Sequence, residues 1–372
     1  MNKLIFANLL HRPLRSIISV LAVAIEVIMI LSIVGIFMGM LNDQKARTNG
    51  IGADLMMRSS NANNMNGMGA TSIPVAYADV VRKLSHVTVV SPAVLQTAMT
   101  QSAVEIISGI DYASYNALRP FVFLSGGPFN GPDDVIVDDV FARSKNPQTG
   151  KPYAVGDTLE VINTPFRICG IVEHGKGFRK SIPLATMDQL IGAPNKATIF
   201  YIKTDNRSND QTVIDEIHGT RGLLNYPIQT MEEWTSTMTP DKMPGFNLAL
   251  EVVQGIAIIV GFLVIFQTMY TAVLERTREI GILKSMGASK AAIVSVILRE
   301  TAFLAILGVI LGIACTYLVR VIMLNATSLQ FQITAHWLAQ GAAIAFVGAL
   351  CGALYPAWMA ARKDPIDALA YE

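Results

Sequence analysis

Four stretches of this 372-residue chain are too long and too apolar to be anything but membrane-spanning helices. A helix needs about 20 apolar residues to cross the hydrocarbon core of a bilayer. Residues 16–42 carry one charge, Glu26, while residues 252–274, 301–319 and 337–361 carry none. These blocks explain why 52% of the residues are hydrophobic and only 15% charged, a balance far from that of soluble proteins. The first block exceeds the apolar core of a secretory signal, and no clear small-residue cleavage site follows it, so a retained anchor is expected.

Orientation follows from the basic residues that flank the spans. Lys3, Arg12 and Arg15 precede the first span. Arg276, Arg278, Lys284, Lys290 and Arg299 lie between the second and third, and Arg362 and Lys363 follow the fourth. Residues 321–336 carry no Lys or Arg, with Arg320 at their edge. Four crossings place all three basic segments on one side, so both termini are expected in the cytoplasm. The expected order is a cytoplasmic segment 1–15, a first span 16–42, an extracytoplasmic domain 43–247 and a second span 248–274. A cytoplasmic region 275–300, a third span 301–320, a short external loop 321–336, a fourth span 337–361 and a cytoplasmic tail 362–372 follow.

Within the spans, Gly35/Gly39, Gly308/Gly312 and Gly348/Gly352 form small-residue steps that let helix backbones approach closely. They predict a packed bundle without saying which helices pair. Glu26 is the intramembrane polar residue. It is a candidate to bind a cationic substrate or a proton, or to couple the first helix to a neighbour, or else a hydrogen-bonded structural group.

The external domain is long enough for its own core, expected in two lobes. Strand-like runs occupy 87–95, 104–110, 135–137, 158–162, 166–172 and 197–203, separated by Pro, Gly and Asp turns. Helical patterns cover 77–84, 186–191 and 211–218, so the domain is mixed α and β. Residues 59–70 read as a loop. Its Met65 and Met68, with Met56 and Met57 nearby, are candidate soft ligands for Cu(I), and the reading as a loop with incidental Met outweighs that site. Asp133/Asp134 and Asp138/Asp139 read as solvated turn and strand-end carboxylates. No Walker A loop is present, since Gly175-Lys176-Gly177 has the wrong neighbours. No His-Glu-x-x-His, Cys-x-x-Cys or Gly-x-Ser-x-Gly motif occurs either. The chain is therefore expected to be non-catalytic and to hold no metal. Its single external cysteine, Cys169, cannot form a disulfide within the domain.

The most informative stretch is 275–300, ERTREIGILKSMGASKAAIVSVILRE. Charged residues carry the second helix past the membrane, with an apolar set at Ile280, Leu283 and Met286. Gly287 is a helix stop and Ser289 a cap for the next helix. The result is a helix–turn–helix knuckle joined to two spans, which acts as a lever or simply as a basic loop held inside.

Glu275-Arg276-Thr277-Arg278-Glu279-Ile280-Gly281, followed by Lys284-Ser285-Met286-Gly287-Ala288-Ser289, resembles the signature of the FtsX/MacB-type permeases of ABC transporters. Tyr355-Pro356-Ala357, Ala360-Ala361 and Asp364-Pro365-Ile366-Asp367-Ala368-Leu369 are similar to that family's ending, where Asp364 can cap a short helix beginning at Pro365. The resemblance implies four transmembrane helices and a mixed α/β extracytoplasmic domain with a porter-like lobe and an inserted lobe. It implies two such permeases, identical or related, and an ABC ATPase in trans that binds ATP and Mg, no cofactor being held by this chain. By position, Glu275, Arg276, Arg278, Glu279, Gly281, Lys284, Gly287 and Ser289 are the ATPase-coupling candidates. Motion relayed through the helices would act on substrate outside a multi-pass cell-membrane protein, most simply in efflux of a small toxin, peptide or lipid-like molecule. A periplasmic adaptor and an outer-membrane channel are candidate partners, with membrane lipid but no nucleic acid. The alternative is a sensor, or a regulator of cell-wall hydrolases, acting with a partner ATPase.

Overall fold

Each apolar block becomes one long helix in a computed structural model of the chain, which describes residues 13–60, 73–99, 104–242, 245–326 and 330–363. These are α1 (Pro13–Gly50), α8 (Phe246–Glu275), α10 (Lys290–Ala326) and α11 (Ala335–Arg362). All four are long and apolar enough to cross a membrane. The chain divides into two compact units. Residues 1–40, 245–325 and 329–372 make a helical unit, and residues 41–244 with 326–328 make an α/β unit.

In the helical unit, the small-residue steps now have partners. A β-carbon built on Gly308 falls 2.6 Å from Val23 Cβ and 2.9 Å from the Val20 carbonyl oxygen. One built on Gly312 falls 2.7 Å from Val27 Cβ and 2.9 Å from the Ala24 oxygen, so α10 lies against α1 with almost no side chain between them. Gly352 of α11 stands 2.9 Å from the Phe262 oxygen of α8 by the same construction, and the Phe266 and Tyr355 rings meet beside it at 5.7 Å. Gly35 and Gly39 do not face a helix. They receive the extended segment around Gln330 and Phe331, whose next residue donates its Gln332 N–H to the Gly35 oxygen at 2.9 Å. Val23, Val27, Leu31, Ile265, Leu304 and Ala349 form the shared core.

Glu26 is 3% exposed inside this unit. Its carboxyl fills the place of a side chain on Gly261 of α8, and its Oε1 lies 3.7 Å from a β-carbon built on Gly348 of α11. Oε1 has no hydrogen-bond partner.

The α/β unit is built on a ten-stranded sheet. Its strands are β1 (Leu55–Arg58), β3 (Val87–Met99), β4 (Val104–Ile110), β5 (Phe123–Gly126) and β6 (Asp134–Asp138). β7 (Thr158–Val161), β8 (Thr164–Val172), β9 (Lys180–Pro183), β11 (Ile199–Thr204) and β12 (Ile228–Thr230) complete it, and β2 (Ile73–Pro74) pairs separately with β10 (Lys196–Ala197). The spatial order is β12-β1-β11-β3-β4-β9-β6-β8-β5, with β7 beside β8. The chain leaves the first half at β3 and returns at β11, so strands β4 to β9 form an inserted lobe. Each half has a core of its own, and a third cluster joins Met56 and Tyr201 of one to Ile110 and Tyr115 of the other. Leu55, Met57, Phe200 and Ile202 meet α2 (Tyr77–Val81) and α6 (Asp210–Gly219) in one, and Val135, Val137, Phe166 and Ile168 pack in the other. The two-lobe α/β expectation and the four-helix expectation both match this architecture.

Three short helices had a capping signature and no apolar period. Asp111 accepts the Ser114 N–H ahead of α3 (Tyr112–Leu118), and Asp138 accepts the Phe141 N–H ahead of α4 (Asp139–Ala142). Thr230 and Glu233 form a capping box at α7 (Met231–Ser236). The remaining helix, α5 (Leu184–Ile191), ends on Gly192 in the left-handed region.

Met56 and Met57 are buried strand residues, 2% and 0% exposed, and serve the core. Met65, Met68 and the Asp364–Leu369 ending lie outside the described residues.

Candidate functional site

The knuckle between α8 and α10 is a nine-residue helix, α9 (Thr277–Ser285). Gly287 terminates it with φ +93°, and Ser289 Oγ accepts the Ala292 N–H at 3.2 Å, as the stop-and-cap reading requires. The charged candidates separate into two groups. Arg276 turns inward and donates to Glu300 of α10 at 3.0 Å, with the two side chains only 14% and 5% exposed. Lys284 donates to the Ala361 oxygen at 3.1 Å and to the Lys363 oxygen, so it satisfies carbonyls left open where α11 ends. Lys363 returns a 3.4 Å hydrogen bond to Thr277 Oγ1, and Gly281 is buried.

Arg276 and Lys284 therefore tie the knuckle to two helices of its unit. Glu275, Arg278, Glu279, Gly287 and Ser289 face outward. With them stand three large apolar side chains: Ile282 at 44% exposure, Leu283 at 39% and Met286 at 70%. Ile280 instead joins Val273, Ile293 and Ala360 in a small core. A cleft of about 520 Å³ opens between α8, α9 and α10, walled by Val273, Ile280, Leu283, Ile293 and the Arg276–Glu300 pair. The knuckle is thus a fastened element with a partly apolar outer surface.

A second constellation, within the α/β unit, holds the last turns of α1. Asp43 and Arg47, one turn apart, pair at 3.0 Å. Arg179 donates to Asp43 at 2.9 Å and to Asp138 at 3.3 Å. Two carboxylates and two guanidiniums thus meet with side-chain exposures of 5–19%. Burial pushes the Asp138 carboxyl above its usual range, against the pull of Arg179. Asp139 is 9% exposed and bonded by His174, through both its backbone N–H and its ring, at 2.9 Å each. Those bonds hold Asp139 below the usual carboxylate range although burial acts the other way. Asp134, 3% exposed, is bonded by Arg167 and by the Asn130 and Gly131 N–H groups. Of the four carboxylates expected to be solvated, only Asp133 is exposed, because the other three meet partners distant in sequence.

Gly175-Lys176-Gly177 belongs to the same grip. Gly177 donates its N–H to the Arg47 oxygen at 2.9 Å, and the Gly175 oxygen occupies the place of any side chain on Gly50. Both glycines have positive φ, +99° and +67°. Lys176 lies over the Phe121 ring at 3.9 Å and the Tyr115 ring at 5.1 Å. The rings favour its charged form, but burial outweighs them, helped by Arg119 and Lys203, and lowers its pKa to about 7. The free-chain value is about 10.4. Between those two values the native state binds fewer protons than the unfolded chain, so this group makes stability rise with pH from about 7 to about 10. Thermal unfolding of a Lys176→Met variant is expected to show a flatter pH profile across that window. An unchanged slope would mean that Lys176 is an ordinary lysine.

Two protein families match successive parts of the chain. The MacB-like periplasmic core domain family matches residues 16–220, and the FtsX-like permease C-terminal family matches residues 252–365. A macrolide export ATP-binding/permease protein MacB of Shewanella sp. (strain ANA-3) is 24% identical, over 97% of this chain and 59% of its own length. The Escherichia coli protein of the same description is 26% identical, over 81% of this chain and 49% of its own. A third, from Shewanella sp. (strain W3-18-1), is 29% identical over 64% and 38%. The chain thus spans 38–59% of the length of these curated relatives. Among solved structures, the periplasmic region of MacB from Actinobacillus actinomycetemcomitans superposes with a TM-score of 0.40 at 15% identity, covering 51% of this chain and 94% of that one.

Proposed function

We infer the function of this chain from its family: it belongs to the FtsX/MacB-type permeases of ABC transporters. It is a membrane component with a periplasmic-type α/β domain. Our reading is that it performs no chemistry itself and relays the motion of an ATPase to that domain, to export a small toxin, peptide or lipid-like molecule from the outer side. Export is favoured because the relatives above are described as macrolide export proteins. In this reading both termini and the knuckle are cytoplasmic, as the basic segments favour. Two permeases assemble with an ATPase, an adaptor and an outer-membrane channel, and ATP and Mg bind only to the ATPase.

The observation that carries the reading is the knuckle's division of labour. Arg276 and Lys284 fasten α9 to α10 and α11, so force applied to α9 reaches both helices. Ile282, Leu283 and Met286 stand exposed on the same short helix beside Arg278 and Glu279. An apolar centre with a charged rim is the composition of a protein contact.

The test is co-purification from native cells in mild detergent. Met286→Asp combined with Leu283→Asp is expected to reduce the retained ATPase at least about tenfold, the loss of a hot-spot contact. Arg278→Glu with Glu279→Lys is expected to weaken it less. If ATPase retention and transport are unchanged in both variants while the protein stays folded, the knuckle is not the docking element.

A further inference from the structure

The α/β unit also buries a guanidinium that meets no carboxylate. Arg58, the last residue of β1, is 6% exposed. Its backbone is fixed, with its N–H donated to the Pro227 oxygen at 2.8 Å. Its guanidinium lies over the Trp234 ring of α7, 4.9 Å from the centroid. The ring attracts the cation but accepts no conventional hydrogen bond from its N–H groups. Nε and Nη1 are both buried without a hydrogen-bond partner. Burial lowers the Arg58 pKa, with no acidic neighbour to offset it, although an arginine stays charged at any working pH.

The adjacent strand repeats the imbalance. Gln229 of β12 stands directly opposite Met56, two residues before Arg58, so Met56, Arg58 and Gln229 share one face of the sheet. Diagonal neighbours in such a pair are within reach of long side chains. The Gln229 Nε2 is also buried and unpartnered. Met56, Ile199, Met231 and Trp234 around them belong to one apolar core. Three buried nitrogens, two of them on a cation, thus lie on one face of the sheet without a hydrogen-bond partner.

Each such group needs an acceptor, from an ordered water or an ion. Water can take a hydrogen bond but leaves the charge uncompensated, and an unpaired buried charge is far more costly than an unpaired dipole. We propose that Arg58 and Gln229, backed by Trp234, form a binding site for a small oxyanion group, a carboxylate or a phosphate, in the α/β domain. The site is independent of the transport reading. It takes its ligand as a free anion or as the terminal group of a larger molecule, and Arg58 supplies charge while Gln229 supplies a neutral donor.

The test uses the full chain in detergent, titrated with sodium acetate and separately with sodium phosphate. Sodium chloride holds ionic strength constant and serves as the control. Tryptophan emission reports the site through Trp234, and a Trp234→Phe variant identifies that signal against Trp337 and Trp358. The wild type is expected to respond saturably to at least one oxyanion, and which one responds tells carboxylate from phosphate. Arg58→Met is expected to weaken binding at least about tenfold, the worth of a hydrogen bond to a charged group, and Gln229→Met several-fold. Arg58→Met is also expected to unfold at no lower temperature than the wild type without added anion, because it removes an uncompensated charge. If that variant folds poorly, Gln229→Met alone still decides. An ordered water only would give no saturable response to either anion, and that result overturns the proposal. So does a response that survives both substitutions, or one equalled by chloride.

Discussion

Replacing Arg179 by methionine is expected to destabilise the α/β domain by about 3 kcal/mol, the low end of the cost of breaking a buried ion pair. The lower figure applies because the partners keep some solvent, with 11% of the Asp43 side chain and 5% of that of Asp138 exposed. Methionine preserves most of the side-chain volume, so the loss reports charge and hydrogen bonding. Asp43 retains Arg47 at 3.0 Å, whereas Asp138 retains only the Phe141 N–H as a direct donor. The stranded charge is thus chiefly that of Asp138. Asp138→Asn added to Arg179→Met is therefore expected to recover at least about 1 kcal/mol, a coupling ordinary for residues in one network. Urea midpoints of the full chain in detergent, read by pulse proteolysis within residues 41–244, provide the measurement. A single variant within about 1 kcal/mol of wild type would show that the cluster is solvated in practice and does not anchor the end of α1.

That cluster marks the boundary of what the sequence discloses. Local rules sufficed where local physics decides the outcome. Twenty apolar residues need a bilayer, Gly287 must accept a positive φ, and Ser289 can cap only the helix that follows it. The strand-like runs of both lobes were legible because their alternation and turns are local. Asp138 and Asp139 were not, since a carboxylate pair at a strand end reads alike whether it meets water or two arginines. Its partners stand at positions 47, 174 and 179, and only the folded sheet brings them together. The knuckle charges present the same difficulty. Nothing in ERTREIGILKS distinguishes Arg276 and Lys284, which turn inward, from Arg278 and Glu279, which do not. The glycines of Gly175-Lys176-Gly177 are a turn signal whose use depends on the distant Gly50. The Thr230…Glu233 capping box was readable and would have located α7, and with it the Trp234 that stacks on Arg58.

The glycine steps of the helical unit lead to the other large expected effect. Gly312→Leu is expected to cost about 3 kcal/mol, the upper range for overpacking a close-packed interior. A β-carbon there meets Val27 Cβ at 2.7 Å and the Ala24 carbonyl oxygen at 2.9 Å. Valine is stiff about its first torsion and the carbonyl belongs to the α1 backbone, so neither yields without moving the helix. Gly308→Leu meets the same obstacle one turn earlier, at Val23 and the Val20 oxygen. In lipid, helices associate through packing with little hydrophobic drive, and forcing α1 from α10 removes the contact that holds them. Two other glycines calibrate the effect. A β-carbon on Gly348 finds its nearest neighbour, Glu26 Oε1, at an ordinary 3.7 Å, so Gly348→Ala is expected to be mild. One on Gly255 meets nothing within 4 Å, so Gly255→Leu is expected to leave stability unchanged. Thermal survival of the monodisperse peak in detergent should rank wild type and Gly255→Leu first, then Gly348→Ala, then Gly308→Leu and Gly312→Leu well below. If Gly255→Leu proved as damaging as Gly312→Leu, the loss would reflect side-chain bulk in any apolar helix, and the close approach of α1 and α10 would not be what holds this bundle together.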